Sequence, residues 1–225
     1  MRLTWRTEWP HGLLLAAMVA GSFAVAGRVH GPIPVHWGVN GTPDSWAGPF
    51  EGLFLLPLLG IVLYLVLVFA PRLDPLHADF AAFAGPYATL RLAVLGMLAG
   101  VHAMILAIAL GVALNVMLVV PVLIGLLMLV IGTVLPRLEP NWIAGIRTPW
   151  TLSSRRSWDA SHHVGGRVFV AGGALMLVAG AIGRAWALVA AVALLMVGVI
   201  AIVVYSYIVW RDDPDKQPRL GARRP

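Results

Sequence analysis

The sequence predicts an all-α integral membrane protein with six transmembrane helices and both termini cytoplasmic. Three observations carry that prediction. Of its 225 residues, 60% are hydrophobic and 12% charged, where soluble domains hold about 45–50% and roughly 25%. With a mean hydropathy of +0.86, the surplus apolar surface must face lipid. The apolar residues fall into six runs near the ~20 residues that about 30 Å of hydrocarbon requires. The basic residues are also one-sided. With the N-terminus inside, the inner segments hold Arg2, Arg6, Arg72, Arg91, Arg137, Arg147, Arg155, Arg156, Arg167, Arg211, Lys216, Arg219, Arg223 and Arg224, leaving Arg28 and Arg184 outside. That is a strong positive-inside bias.

In chain order the runs are 12–26, 53–70, 92–112, 114–135, 168–183 and 185–209. The first and fifth are short, and Pro121 predicts a kink or local unwinding in the fourth. Gly111 and Asn115 mark a tight connection between the third and fourth runs, and Arg184 one between the fifth and sixth. The tryptophans at 5, 9, 37, 46, 142, 150, 158, 186 and 210 all fall in loops or at run ends, the headgroup level that indoles prefer. The chain reads as one membrane domain, 1–225. Its parts are 1–70 with the outer loop, 90–135, a cytoplasmic loop at 136–167, 168–210 and a solvated, mobile tail at 211–225. Ala24-Val25-Ala26 has the form of a signal-peptidase site, and cleavage there would leave five spans. Glu8-Trp9-Pro10 is an unusual start for such a signal and argues against it.

Composition removes several chemistries. Without cysteine there is no disulfide framework, thiolate metal site or cysteine nucleophile. The basic excess accompanies apolar runs, so it reads as membrane orientation and not as direct nucleic-acid binding. No carboxylate or basic residue lies deep in a run, which excludes an intramembrane aspartyl dyad. No His-Glu-x-x-His, nucleophile elbow or phosphate loop occurs. His162 and His163 are adjacent and would not share a metal face on a helix, and no third ligand is obvious for His30 and His36. No catalytic residue, metal or cofactor is therefore expected. His102, about 18 Å beyond Leu90 along the third span, is the one titratable group near mid-membrane. It reads either as a proton relay or ligand contact, or as a neutral imidazole bonded to a neighbouring helix carbonyl near Asn115; the second is favoured.

What is distinctive lies in two loops. In the outer one Pro32 and Pro34 enforce extended backbone and Asn40-Gly41 signals a turn. This ordered loop offers His36, Trp37, Asn40, Asp44 and Trp46 either to a ligand or as a structural cap. The inner one runs Pro140-Asn141-Trp142-Ile143-Ala144-Gly145-Ile146-Arg147-Thr148-Pro149-Trp150-Thr151-Leu152. Thr151 or Ser153 can cap a new helix, with Leu152, Trp158 and His162 roughly on one face. That predicts a short interfacial helix before the fifth span. Gly165, Gly166, Gly172 and Gly173 allow close helix approach. Arg147 is placed to pair with Glu139 or Asp159, or to snorkel to lipid phosphate. Arg155, Arg156 and Arg167 form a basic patch suited to anionic membrane lipids or an acidic partner.

Together the two loops resemble the SdpI family of bacterial membrane proteins, with the outer-loop domain of unknown function that accompanies it. Ile33, Pro34, His36, Trp37, Gly41, Pro43 and Asp44 carry the outer motif. Pro140, Asn141 and the unbroken Gly145-Ile146-Arg147-Thr148-Pro149-Trp150-Thr151-Leu152 carry the inner one, with Trp158, His162 and Gly166 downstream. The sequence departs from the family pattern at Gly132-Thr133, where Gly-Asn is usual, and at Ser45-Trp46, where a basic residue often follows the outer Pro-Asp. The resemblance implies a plasma-membrane immunity and sensor protein without catalysis. His36, Trp37, Asn40, Asp44 and Trp46 would meet a secreted peptide toxin or similar ligand. Asn141, Arg147, Thr148, Pro149, Trp150, Trp158 and His162 would dock a cytoplasmic transcriptional repressor. The rival readings are a small-molecule transporter, a membrane-surface enzyme using His36 with Asp44 or His162 with Asp159, and a bare scaffold.

Overall fold

A computed structural model describes residues 4–76 and 78–216; Arg2, Arg219, Arg223 and Arg224 of the charge count, and most of the tail, lie outside them. Among the described residues six helices are long and apolar enough to cross a membrane. They are α1 (Trp5–Ala26), α2 (Pro49–Phe69), α3 (Ala84–Ala109), α4 (Val116–Val134), α5 (Arg155–Ile182) and α6 (Ala185–Arg211). Between α1 and α2 lies a two-stranded antiparallel hairpin, β1 (Ile33–Trp37) and β2 (Pro43–Ala47). The helices α1, α2 and α3 pack on one another, α5 packs on α4 and α6, and the α3–α4 contact joins the two groups. The hairpin stands at one end of the bundle and the long α4–α5 connection at the other, here the hairpin end and the motif-loop end.

Helices α1, α3 and α5 start well before the apolar runs that announce them. A hydropathy run marks the hydrocarbon-facing part of a helix, whereas intrahelical hydrogen bonding continues through polar turns beyond it. The largest difference is in α5. The amphipathic stretch expected as a separate interfacial helix is helical, but it is the start of α5 itself, capped by Ser154, whose hydroxyl accepts from Ser157 N–H at 2.9 Å. The preceding residues Thr151–Ser153 form a single 3₁₀ turn. The face carrying Trp158 and His162 is buried in the bundle and does not lie on lipid. α4 runs unbroken through Pro121.

Glycine sets the α4–α5 distance. A Cβ on Gly132 would come within 2.6 Å of the Gly166 carbonyl oxygen, and one on Gly125 within 2.8 Å of that of Gly173. The two backbones touch at both pairs, a heptad apart, as in membrane helices that associate without a hydrophobic driving force. Gly165 and Gly172 face the other way, towards Ile146 and Leu195. α5 is thereby the packed centre of its half of the molecule.

Candidate functional site

The α1–α2 connection folds as a hairpin because its turn chemistry is complete. Gly41 takes φ +79, a conformation that favours glycine. The Asn40 side-chain oxygen accepts from the Thr42 N–H at 3.1 Å and from its hydroxyl at 2.7 Å. His36 Nδ1 donates to Asp44 Oδ1 at 2.5 Å across the strands, with 70% and 49% of those side chains exposed. Asn40 and Trp46 are exposed as well. Trp37 is not among them: it is partly buried against the cluster of Val25, Ile33, Leu53 and Ile105. The hairpin is held at both ends. Ile33 is 1% exposed and sits over Gly52 of α2, where a Cβ would meet it at 2.9 Å. At the tip, a Cβ on Gly41 would meet Met117 of α4 at 2.7 Å.

Directly below, proline chemistry builds a three-helix clasp. Pro57 has no N–H, so the carbonyl four residues earlier in α2, that of Leu53, loses its helical donor. Ser22 Oγ of α1 donates to that oxygen at 2.6 Å, and His102 Nε2 of α3 lies 3.0 Å from it. Because a carbonyl only accepts, Nε2 carries the proton. His102 thus bonds a neighbouring helix carbonyl as favoured, but the partner is Leu53, with Ser22 beside it at 3.1 Å, and not a group near Asn115.

At the motif-loop end the inner motif folds as a self-satisfied knot. The Asn141 side chain, fully buried, donates to the Glu139 carbonyl at 2.7 Å and accepts from the Ile143 and Ala144 N–H groups at 2.8 and 2.7 Å. Thr148 and Thr151 cap each other reciprocally, side chain to backbone N–H, at 3.1 and 2.9 Å. His162 stacks on Trp158 with ring centroids 3.9 Å apart. Its Nδ1–H donates to the Trp158 carbonyl at 2.8 Å, and its Nε2 accepts the Ile146 N–H at 3.0 Å. Both ring nitrogens are committed, so the ring is neutral. Trp158 Nε1 donates to the Leu138 carbonyl at 2.7 Å. Arg147 does not pair with Glu139 or Asp159: it is exposed and donates to the Trp142 carbonyl. Arg155 takes both carboxylates instead, at 2.6 and 3.0 Å, because it sits one helical turn before Asp159. Among the predicted docking residues Asn141, Trp158 and His162 are therefore interior, and Arg147 and Pro149 are exposed. Trp150 lies half-buried against Tyr207, at 5.3 Å.

The structure adds groups that sequence reasoning passed over. Arg91, counted as a loop cation, is 2% exposed inside α3 and forms a two-pronged pair with Glu8 of α1 at 2.8 and 3.1 Å. The Tyr64 hydroxyl donates to the same carboxylate at 2.9 Å. Both residues lie just before the apolar runs 12–26 and 92–112, and the pairing between them is what the reading of the runs did not anticipate. The signal was available: Glu8 and Arg91 are acid and base near the same end of two neighbouring apolar runs. Asp74, 2% exposed, accepts from the Ala78 N–H at 2.9 Å and the Trp142 N–H at 3.1 Å, tying the α2–α3 connection to the motif loop. Only the fold could reveal that tie. Among the described residues no cluster of three or more His, Asp or Glu could hold a metal ion.

Six apolar helices with an ordered hairpin at one end and a knotted loop at the other define a multi-pass membrane protein. Residues 137–208, covering the knotted loop, α5 and most of α6, match the SdpI/YfhL protein family. Residues 13–61, covering most of α1, the hairpin and the first part of α2 through Ile61, match a domain of unknown function, DUF1648. The two matches together support assigning the chain to the SdpI family. No curated protein and no solved structure matches it.

Proposed function

We propose that this is an SdpI-type immunity and sensor protein of a bacterial plasma membrane, with both termini cytoplasmic. Its hairpin binds a secreted peptide toxin or similar ligand at the outer face, and its motif loop docks a cytoplasmic regulator. The observation that carries the reading is the hairpin itself: an exposed His36–Asp44 pair with Asn40 and Trp46 beside it, on a rigid element seated against α2 at Ile33 and α4 at Gly41. A rigid polar-aromatic surface binds with little ordering cost. Its double attachment lets a bound ligand favour one arrangement of the helices over another. That differential affinity is what signalling requires, since a ligand with equal affinity for both states shifts nothing. The surplus of basic residues at the motif-loop end supports its cytoplasmic placement. Docking there falls to Arg147, Pro149 and Trp150, with Asn141, Thr148, Trp158 and His162 holding the loop in shape.

The test is affinity capture of the tagged protein from its native host, from both membrane lysate and secreted peptides, beside Asp44→Ala and Arg147→Ala variants. The expected result is a secreted peptide lost with Asp44→Ala and a cytoplasmic regulator lost with Arg147→Ala. Well-folded protein that captures neither contradicts the reading. The Glu8–Arg91 pair, with its guanidinium buried, favours a second reading, transport of a small solute, because ionisable groups within spans commonly mark solute or proton paths. Solute uptake that is abolished by Glu8→Gln while the hairpin variants retain it would select that reading instead.

A further inference from the structure

The α4–α5 seam opens, towards the motif-loop end, into a groove of about 410 Å³ lined by Gly132, Pro136, His163, Gly166, Arg167 and Ala171. Its floor exists because Gly132 and Gly166 bring the two backbones into contact, leaving no side chains to fill the surface above them. Its position is what makes it a site. Arg167 immediately precedes the apolar run 168–183, the level at which lipid phosphates meet the hydrocarbon. It is exposed, and no ion pair among the described residues includes it.

An exposed guanidinium at the hydrocarbon boundary attracts an anion, and its side chain can reach one. Helical side chains lean towards the N-terminus, so Arg167 points back along α5 to His163, one turn nearer the interface and on the same face. His163 Nδ1 already donates to the Asp159 carbonyl at 2.8 Å, which fixes the ring and leaves Nε2 available to the groove. Below Arg167 the lining is apolar, through Val170, Ala171 and Ala174. A cation above an apolar trough fits an anionic headgroup joined to an acyl chain, and a phosphodiester offers acceptor oxygens to both Arg167 and His163.

We propose that this groove is a binding site for one anionic phospholipid, its phosphate held by Arg167 and His163 and an acyl chain lying along Gly132, Ala171 and Ala174. The site owes nothing to the sensor reading and lies apart from the hairpin. It is tested with the full chain in detergent, by native mass spectrometry during titration with phosphatidylglycerol, phosphatidylcholine or inorganic phosphate. Phosphatidylglycerol should be retained over phosphatidylcholine, and inorganic phosphate should not displace it. Arg167→Gln should weaken it by about tenfold, the scale of one charge-assisted contact. Ala171→Phe, which fills the trough without changing charge, should also weaken it, while Arg28→Gln at the hairpin end should not. Both groove variants should melt as the parent does. Equal retention of the two lipids, displacement by inorganic phosphate, or an Arg167→Gln affinity within about twofold of the parent would overturn the proposal. The Arg167 arm decides even if Ala171→Phe fails to fold, because it alters only an exposed side chain.

Discussion

Gly145 adopts φ +114, and a Cβ there would stand 2.4 Å from His162 Nε2 and 3.2 Å from the Trp158 ring. Two constraints meet at one atom: a backbone region that side chains rarely enter and a stacked pair with no room to move. Gly145→Ala should therefore unfold the motif loop locally, seen as lost amide protection at Ile146, whose N–H bonds His162. Asn141→Ala leaves the buried Ile143 and Ala144 N–H groups without their acceptor. It should cost about 1–3 kcal/mol in detergent unfolding, and unchanged stability would contradict the role assigned to that side chain. The Glu8–Arg91 pair behaves differently. Arg91→Leu alone leaves the partly buried Glu8 carboxylate with Tyr64 but without its cation and should lower stability, whereas the Glu8→Leu, Arg91→Leu double variant should recover most of that loss. These side chains show what sequence can and cannot disclose. Gly145 and Asn141 stand in a motif that can be quoted from the sequence, but their roles depend on Trp158 and His162 arriving from α5. Arg91 was misplaced because a charge beside an apolar run reads as a loop residue until its partner is known.

The helices were legible because hydropathy, basic residues and tryptophan placement all report on one solvent, the bilayer. Their starts were less so. α5 begins at Arg155, thirteen residues before the apolar run at 168, because packing against the motif loop and α6 stabilises polar turns that a hydropathy count ignores. The hairpin was legible as an ordered turn but not as strands: β2 is almost wholly exposed, so the alternation that betrays a strand is absent. Pro57 carried a signal that went unused, since a proline within a span frees the carbonyl four residues before it. Ser22 and His102 answer that carbonyl together, so Ser22→Ala and His102→Leu should be non-additive by about 0.5 kcal/mol or more in a double-mutant cycle. Additive effects would separate the two. On the proposed function His102→Leu leaves ligand response intact.

At the end of α6 an acid anchors the start of α5. The Ser154 hydroxyl donates to the Asp213 carboxylate, which holds that carboxyl below its ordinary value. A depressed carboxyl contributes stability above the unfolded-state pKa, about 4 for aspartate, and loses it as pH falls through the folded-state value. Asp213→Asn should thus be less stable than the parent at neutral pH, and the gap should close on acidification towards pH ~3. A gap that stays constant with pH would assign the effect to packing alone.

As a whole the molecule joins an exposed hairpin and a basic motif loop through two helix groups that meet at α3 and α4. The hairpin touches both groups, at Ile33 and at Gly41. Glu8–Arg91 and Asp74–Trp142 tie the opposite end of the first group internally and to the motif loop. On the proposed function, movement of one group against the other is the output of a ligand at the tip. The most direct test uses the absence of cysteine from the chain. Single-cysteine variants Val39→Cys, at the hairpin tip, and Arg147→Cys, in the motif loop, are exposed in intact cells to a membrane-impermeant maleimide. The account predicts labelling of the first, slowed by the host's secreted peptide fraction, and labelling of the second only after permeabilisation. Labelling of the motif loop in intact cells, or a hairpin whose labelling the secreted fraction never slows, would contradict it.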